Sequence, residues 1–111
     1  GIQAPDIEYL QHYTDEYTSS GHLYLVRLMG KDTQARNDFI TKMAEAGIAT
    51  NVHFKPLPMH TAYKKLGFDI SDYPASYEMY HNEVTLPLHT NLTDEQVGYV
   101  IENFNSIKKM V

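Results

Sequence analysis

The sequence predicts a small two-layer α+β domain. Two stretches rich in β-branched and aromatic residues, "HLYLVRLM" (22–29) and "EVTLPLH" (83–89), read as strands. Two longer segments, 33–47 and 94–107, repeat apolar residues at helical spacing. A length of 111 residues bounds the chain to one domain at most, burying roughly 60–65% of its unfolded surface.

Residues 2–21 carry only weak periodicity, and "TSSG" at 18–21 supplies turn chemistry. The run 22–29 is nearly continuous apolar, which predicts a central strand covered on both faces. Arg27 interrupts it and needs a partner if it points inward. Gly30 ends the strand, and Asp32 or Thr33 can cap the helix that follows. Within that helix Ala35, Phe39, Ile40, Met43 and Ala46 form the apolar stripe, and Gly47 is a natural stop. "IATNVHF" at 48–54 alternates like a second strand, with Ile48, Thr50, Val52 and Phe54 on one face and His53 on the other. "HTAYKKLG" at 60–67 predicts a short helix ended by Gly67, and Pro74 opens another through about Glu83. The strand at 83–89 is cut short by Pro87. The last helix has the clearest start in the chain: Thr93 and Gln96 form a capping box, and Leu92 and Val97 a hydrophobic staple. Val97, Val100, Ile101, Phe104 and Ile107 make its apolar stripe.

Composition excludes several functions. A net charge of −5 argues against nucleic acid, because phosphate binding needs clustered Lys and Arg. No apolar run approaches the roughly 20 residues that span a bilayer, and no signal peptide opens the chain, so no membrane partner and a cytoplasmic place are expected. The absence of cysteine removes disulfides and thiolate metal sites and fits a reducing compartment. Gly1 reads as a remnant of tag removal. Nine tyrosines suit either a half-buried core rim or a surface that meets something partly apolar and partly wet.

Six histidines raise the question of a metal, but His53 and His60 lie across two prolines with no carboxylate at helical spacing, so none is expected. No cysteine nucleophile, serine elbow or glycine-rich phosphate loop is present. What remains is "NVHFKPLPMH" at 51–60, with His53, Phe54, Lys55, Pro56, Pro58 and His60, to which Tyr63, His89 and Arg27 could add. This segment is either a rigid proline-bounded corner or a ligand-facing loop carrying a general acid/base candidate and a cation. No complete catalytic set is visible.

Residues 20–104 resemble a known family. "GHLYLVRL", "RNDFITKMAEAGIATNVHFKPLPMHTAYKKLGF" and "YPASYEMYHNEVTLPLHTNLTDEQVGYVIE" together look like the C-terminal domain of the DegT/DnrJ/StrS sugar aminotransferases. The resemblance implies the C-terminal small domain of the aspartate-aminotransferase fold type. Its sheet would be three- to four-stranded and mostly antiparallel, with two main helices. It implies an enzyme that uses pyridoxal phosphate (PLP) to pass an amino group from glutamate to a keto carbon of a nucleotide-linked sugar, as a homodimer. The cofactor lysine of such enzymes lies on a larger N-terminal domain, and none of the nine Lys and Arg residues here stands in the matching context. The chain is therefore expected to span residues 2–111 of a longer protein as one small domain, inactive alone and without bound PLP.

By position, His53 matches the family's "VH(F/Y)" histidine and is the first candidate for contact with sugar or cofactor, with Phe54 packing beside the sugar or nucleotide. His60 matches the later Pro-x-His histidine, one residue farther from His53 than in the commoner pattern, and Lys55 lies between them. Arg27 could bind a carboxylate or phosphate, or form an ion pair within the sheet. Two further readings stay open: a sugar dehydratase of the same family, in which a histidine replaces the cofactor lysine, and a non-catalytic module that binds a nucleotide-sugar or partner protein.

Overall fold

A computed structural model describes residue 2 and residues 4–111. Gly1, the expected tag remnant, lies outside the described residues. The elements follow the order β1 (Ile7–Tyr9), β2 (Tyr24–Leu28), α1 (Thr33–Glu45), α2 (Thr61–Lys65), α3 (Pro74–Tyr80), β3 (Glu83–Leu86) and α4 (Asp94–Ile107), with short 3₁₀ turns between them. The sheet has three antiparallel strands in the order β1-β2-β3, within the expected range.

Its membership differs from expectation in one strand. Segment 48–54 touches the sheet only through an isolated bridge between Asn51 and Thr85. The backbone donor that would form the next pair of the ladder, the His53 N–H, is taken by a side chain. Asn51 Oδ1 accepts from the Val52 N–H at 2.8 Å, and Glu83 Oε2 accepts from the His53 N–H at 2.9 Å. The segment therefore peels away after one pair. Ile48 is buried as expected, but Phe54 is 74% exposed and does not join the core. The other edge of β2 is occupied by β1, whose three residues are too short to leave a periodic signature.

The strand alternation divides the sheet into two chemically different faces. Val26, Leu28, Val84 and Leu86 face the helices and are buried with Phe39, Met43, Ile48, Phe104 and Ile107. The Phe39 and Phe104 rings meet edge to face with centroids 5.1 Å apart, joining α1 to α4. The opposite face carries Glu8, Leu25, Arg27, Glu83 and Thr85, because Glu8 pairs with Arg27, Arg27 with Glu83, and Leu25 with Thr85.

The caps agree with the sequence. Asp32 Oδ1 accepts from the Ala35 N–H, and Gly47 follows α1 at a φ of 75°, where a side chain would be strained. Thr93 and Gln96 form the complete capping box of α4. Helix α3 stops at Tyr80 rather than near Glu83, because Glu83 is already in β3, paired with Arg27 of β2, and the Asn82 carbonyl accepts from the Leu28 N–H at 2.9 Å. Val97 is 41% exposed and sits at the lip of an apolar groove with Leu92, Tyr24 and Leu88, at the outer end of the α4 stripe. No helix among the described residues is long and apolar enough to cross a membrane.

Candidate functional site

The polar face of the sheet is the floor of a cavity of about 430 Å³. Glu8, Leu25, Arg27 and Glu83 rise from the strands. His53, Phe54 and Pro56 come from the loop that peeled away, and Ala75, Met79 and Tyr80 from α3. The loop reaches this position because its backbone is pinned to Glu83 and Thr85 instead of to a fourth strand.

His53 is held at both its backbone and its ring. Its Nδ1 lies 2.8 Å from Thr85 Oγ1, and its ring meets that of Phe54 edge to face at 4.5 Å. Thr85 Oγ1 in turn donates to Glu83 Oε1 at 2.6 Å. Glu83 thus accepts one bond on each carboxylate oxygen. Its side chain is buried, and that desolvation pushes the carboxyl above the usual range. The donors from Thr85 and the His53 amide pull the other way, as do the Arg36 charge and the His53 ring when it is protonated.

Arg27 is spoken for. Nε donates to Asn82 Oδ1 at 3.0 Å, Nη1 to Glu8 Oε2 at 2.8 Å and to Met79 Sδ at 3.7 Å, and Nη2 to Glu78 Oε1 and the Glu78 carbonyl, both at 2.9 Å. All five N–H donors of the guanidinium therefore have partners within the chain. Of the two roles the sequence left open, this geometry makes the ion pair within the sheet and leaves no donor over for an anion.

Lys55 and His60 are not brought to the cavity. Both are exposed. His60 Nε2 lies 3.3 Å from the Lys55 carbonyl oxygen, and the His60 carbonyl accepts from the Lys64 N–H at the start of α2. Tyr63 packs edge to face on Phe68, and His89 is exposed beyond Pro87. Neither lines the cavity with His53.

Sequence reasoning missed Glu83, Thr85 and Arg36. Glu83 and Thr85 lie two apart in a recognised strand, so alternation sets them on one face with Arg27. Arg36 falls at i−3 and i−7 from Phe39 and Met43 on the α1 stripe, a position that demands burial. It is buried there, with its guanidinium 4.9 Å from the Tyr80 ring centre and Nη1 donating to the Tyr80 carbonyl at 3.2 Å. No lysine lines the cavity, and no cluster of metal-ligating side chains occurs among the described residues.

A model of the DegT/DnrJ/EryC1/StrS aminotransferase family matches residues 3–105. The structure of a putative sugar aminotransferase, Spr1654 from Streptococcus pneumoniae, in its PMP form, superposes with a TM-score of 0.92 at 50% identity. That match covers 95% of this chain and 26% of the other. The spore coat polysaccharide biosynthesis protein SpsC of Bacillus subtilis is 33% identical over 98 residues, which is 86% of this chain and 25% of that protein. UDP-4-amino-4,6-dideoxy-N-acetyl-beta-L-altrosamine transaminase of Helicobacter pylori is 31% identical over 94 residues, 81% of this chain and 25% of that protein. The chain spans about a quarter of the length of these relatives.

Proposed function

We propose a function for this chain as a piece of the family to which it belongs, the DegT/DnrJ/EryC1/StrS aminotransferases. It forms the C-terminal small domain, over residues 2–111, of a longer enzyme that transfers an amino group from glutamate to a keto group of a nucleotide-linked sugar. The relatives' names support the sugar substrate, since one is a UDP-sugar transaminase and another a dTDP-sugar transaminase.

The observation that carries the proposal is the seat of His53 and Phe54. The loop that carries the family-like "VHF" motif is pinned by Glu83 and Thr85, and both rings border a single cavity. Phe54 is 74% exposed, as is fitting for a ring that packs on a ligand or a neighbouring part of the protein. His53 contacts the sugar, and Phe54 packs beside it or the nucleotide. Lys55 and His60 lie outside the cavity and can reach a ligand only from the rim. Arg27 acts through Glu8 and Glu78 to hold the floor.

The Streptococcus pneumoniae relative has also been solved in a PLP form. PLP needs a lysine for its aldehyde and donors for its phosphate, and the cavity residues offer neither a lysine nor a free guanidinium. In this proposal the cofactor belongs to the part of the longer protein that the chain does not span. The chain alone has no transaminase activity, and the longer protein works as a cytoplasmic homodimer.

The test is His53→Ala in the longer protein. The expected result is a loss of about tenfold or more in kcat/KM, equivalent to roughly 1.4 kcal/mol of transition-state binding, with a smaller change in unfolding free energy. Unchanged turnover on nucleotide-linked keto-sugars would return His53 to a purely structural role.

A further inference from the structure

The hydrogen bonds around His53 form a chain with a direction. Glu83 Oε2 accepts the backbone N–H of His53, which can only donate. Glu83 Oε1 accepts the Thr85 hydroxyl at 2.6 Å, a length typical of O–H donated to a carboxylate. That hydroxyl has one hydrogen, and it is now used. The 2.8 Å contact between Thr85 Oγ1 and His53 Nδ1 must then run the other way, with Nδ1–H donating. In a neutral imidazole the second nitrogen is left as a bare acceptor. Nε2 has no hydrogen-bond partner among the described residues, and the ring borders the cavity.

We propose that Thr85 and Glu83 are positioning residues that lock neutral His53 with its proton on Nδ1. Nε2 is thereby a hydrogen-bond acceptor, and the cavity takes at this point a ligand group that donates, such as a sugar hydroxyl or an amine. The identity of the ligand as a sugar rests on the function proposed above; the protonated nitrogen does not.

Glu83→Gln gives the sharpest consequence. The His53 N–H still demands an acceptor, so the new amide must place its oxygen there and turn its NH₂ toward Thr85. Thr85 then accepts from the amide and is free to donate to Nδ1, which moves the ring proton to Nε2. The relay reverses with almost no change in shape.

The experiment is nitrogen NMR of the histidine ring in the ¹⁵N-labelled chain, at about pH 8, above the ordinary histidine range. His53→Gln identifies the signals. The expected spectrum of the unsubstituted chain is an Nδ1–H ring with an unprotonated Nε2. Thr85→Val and Glu83→Gln are expected to shift the ring to predominantly Nε2–H, and Thr85→Ser to restore Nδ1–H. An Nε2–H ring in the unsubstituted chain overturns the proposal, as does an unmoved Nδ1–H ring in Glu83→Gln. Should Thr85→Val unfold, shown by collapse of amide dispersion, Glu83→Gln and Thr85→Ser decide the matter. These readings need no substrate, so their failure leaves the sugar assignment standing, and failure of sugar binding leaves the tautomer standing.

Discussion

Arg27 Nη2 meets Glu78 twice, at its carboxylate oxygen and at its own backbone carbonyl, both at 2.9 Å. One edge of a guanidinium in the central strand thus clamps helix α3, while the other edge holds Glu8 on β1. The side chains of Glu8 and Glu78 are more than half exposed, whereas Asn82, the third partner, is buried.

Exposure of the two carboxylates sets what each substitution does. Arg27→Met leaves Asn82 Oδ1 buried without its donor and is expected to cost roughly 2 kcal/mol. Glu8→Gln and Glu78→Gln should each cost less than about 1 kcal/mol, because solvent reclaims their partners. Urea unfolding of the three variants checks the order.

The aromatic residues divide the same way. Phe104→Ala removes the ring that meets Phe39 in the core and is expected to cost about 3–5 kcal/mol. Phe54→Ala should change stability by less than about 0.5 kcal/mol, since that ring is mostly in solvent. A large loss from Phe54→Ala in denaturant titration would contradict its place at the cavity mouth.

Helix α4 depends on its capping box. Thr93→Ala removes the acceptor of the Gln96 N–H and is expected to cost about 1 kcal/mol, while Thr93→Ser keeps most of it. Amide exchange in the first turn of α4 should quicken in the alanine variant alone.

Two carboxylates give opposite pH signatures. Glu83 is raised by burial, so the folded chain holds its proton more tightly than the unfolded one. Its contribution to stability is full below the ordinary carboxylate range and is lost as pH rises through the raised value. Relative to Glu83→Gln, the unsubstituted chain should therefore lose stability with rising pH across that window. Asp6 is lowered, chiefly by its hydrogen bond from Lys108 at 2.9 Å. Its contribution is present above the ordinary range and disappears as pH falls through the lowered value. Urea midpoints across pH, compared with Glu83→Gln and Asp6→Asn, separate the two.

The helices, their caps and the apolar face of the sheet were legible because they are local. Phe39 and Met43 repeat at helical spacing, Thr93 and Gln96 are three apart, and Val26 and Leu28 alternate with Arg27. Segment 48–54 misleads because its alternation is real, yet the side chain of Glu83, 30 positions away, takes the His53 N–H that the next ladder pair would use. Among the site residues, His53 and Phe54 stood out through their motif, and the structure brings them to one cavity with Arg27. Lys55 and His60, from the same ten residues, stay on the outside.

The sequence by itself determined the two-layer class, the two long helices with their caps, and the family, because each rests on patterns within a few residues or on a motif read in order. Only the tertiary structure decided that β1 rather than 48–54 completes the sheet, and that Glu83 and Thr85 stand beneath His53. Those outcomes depend on pairings between residues 19 to 32 positions apart. At such separations a polar side chain's partner is set by register and burial, and neither is written in its neighbours.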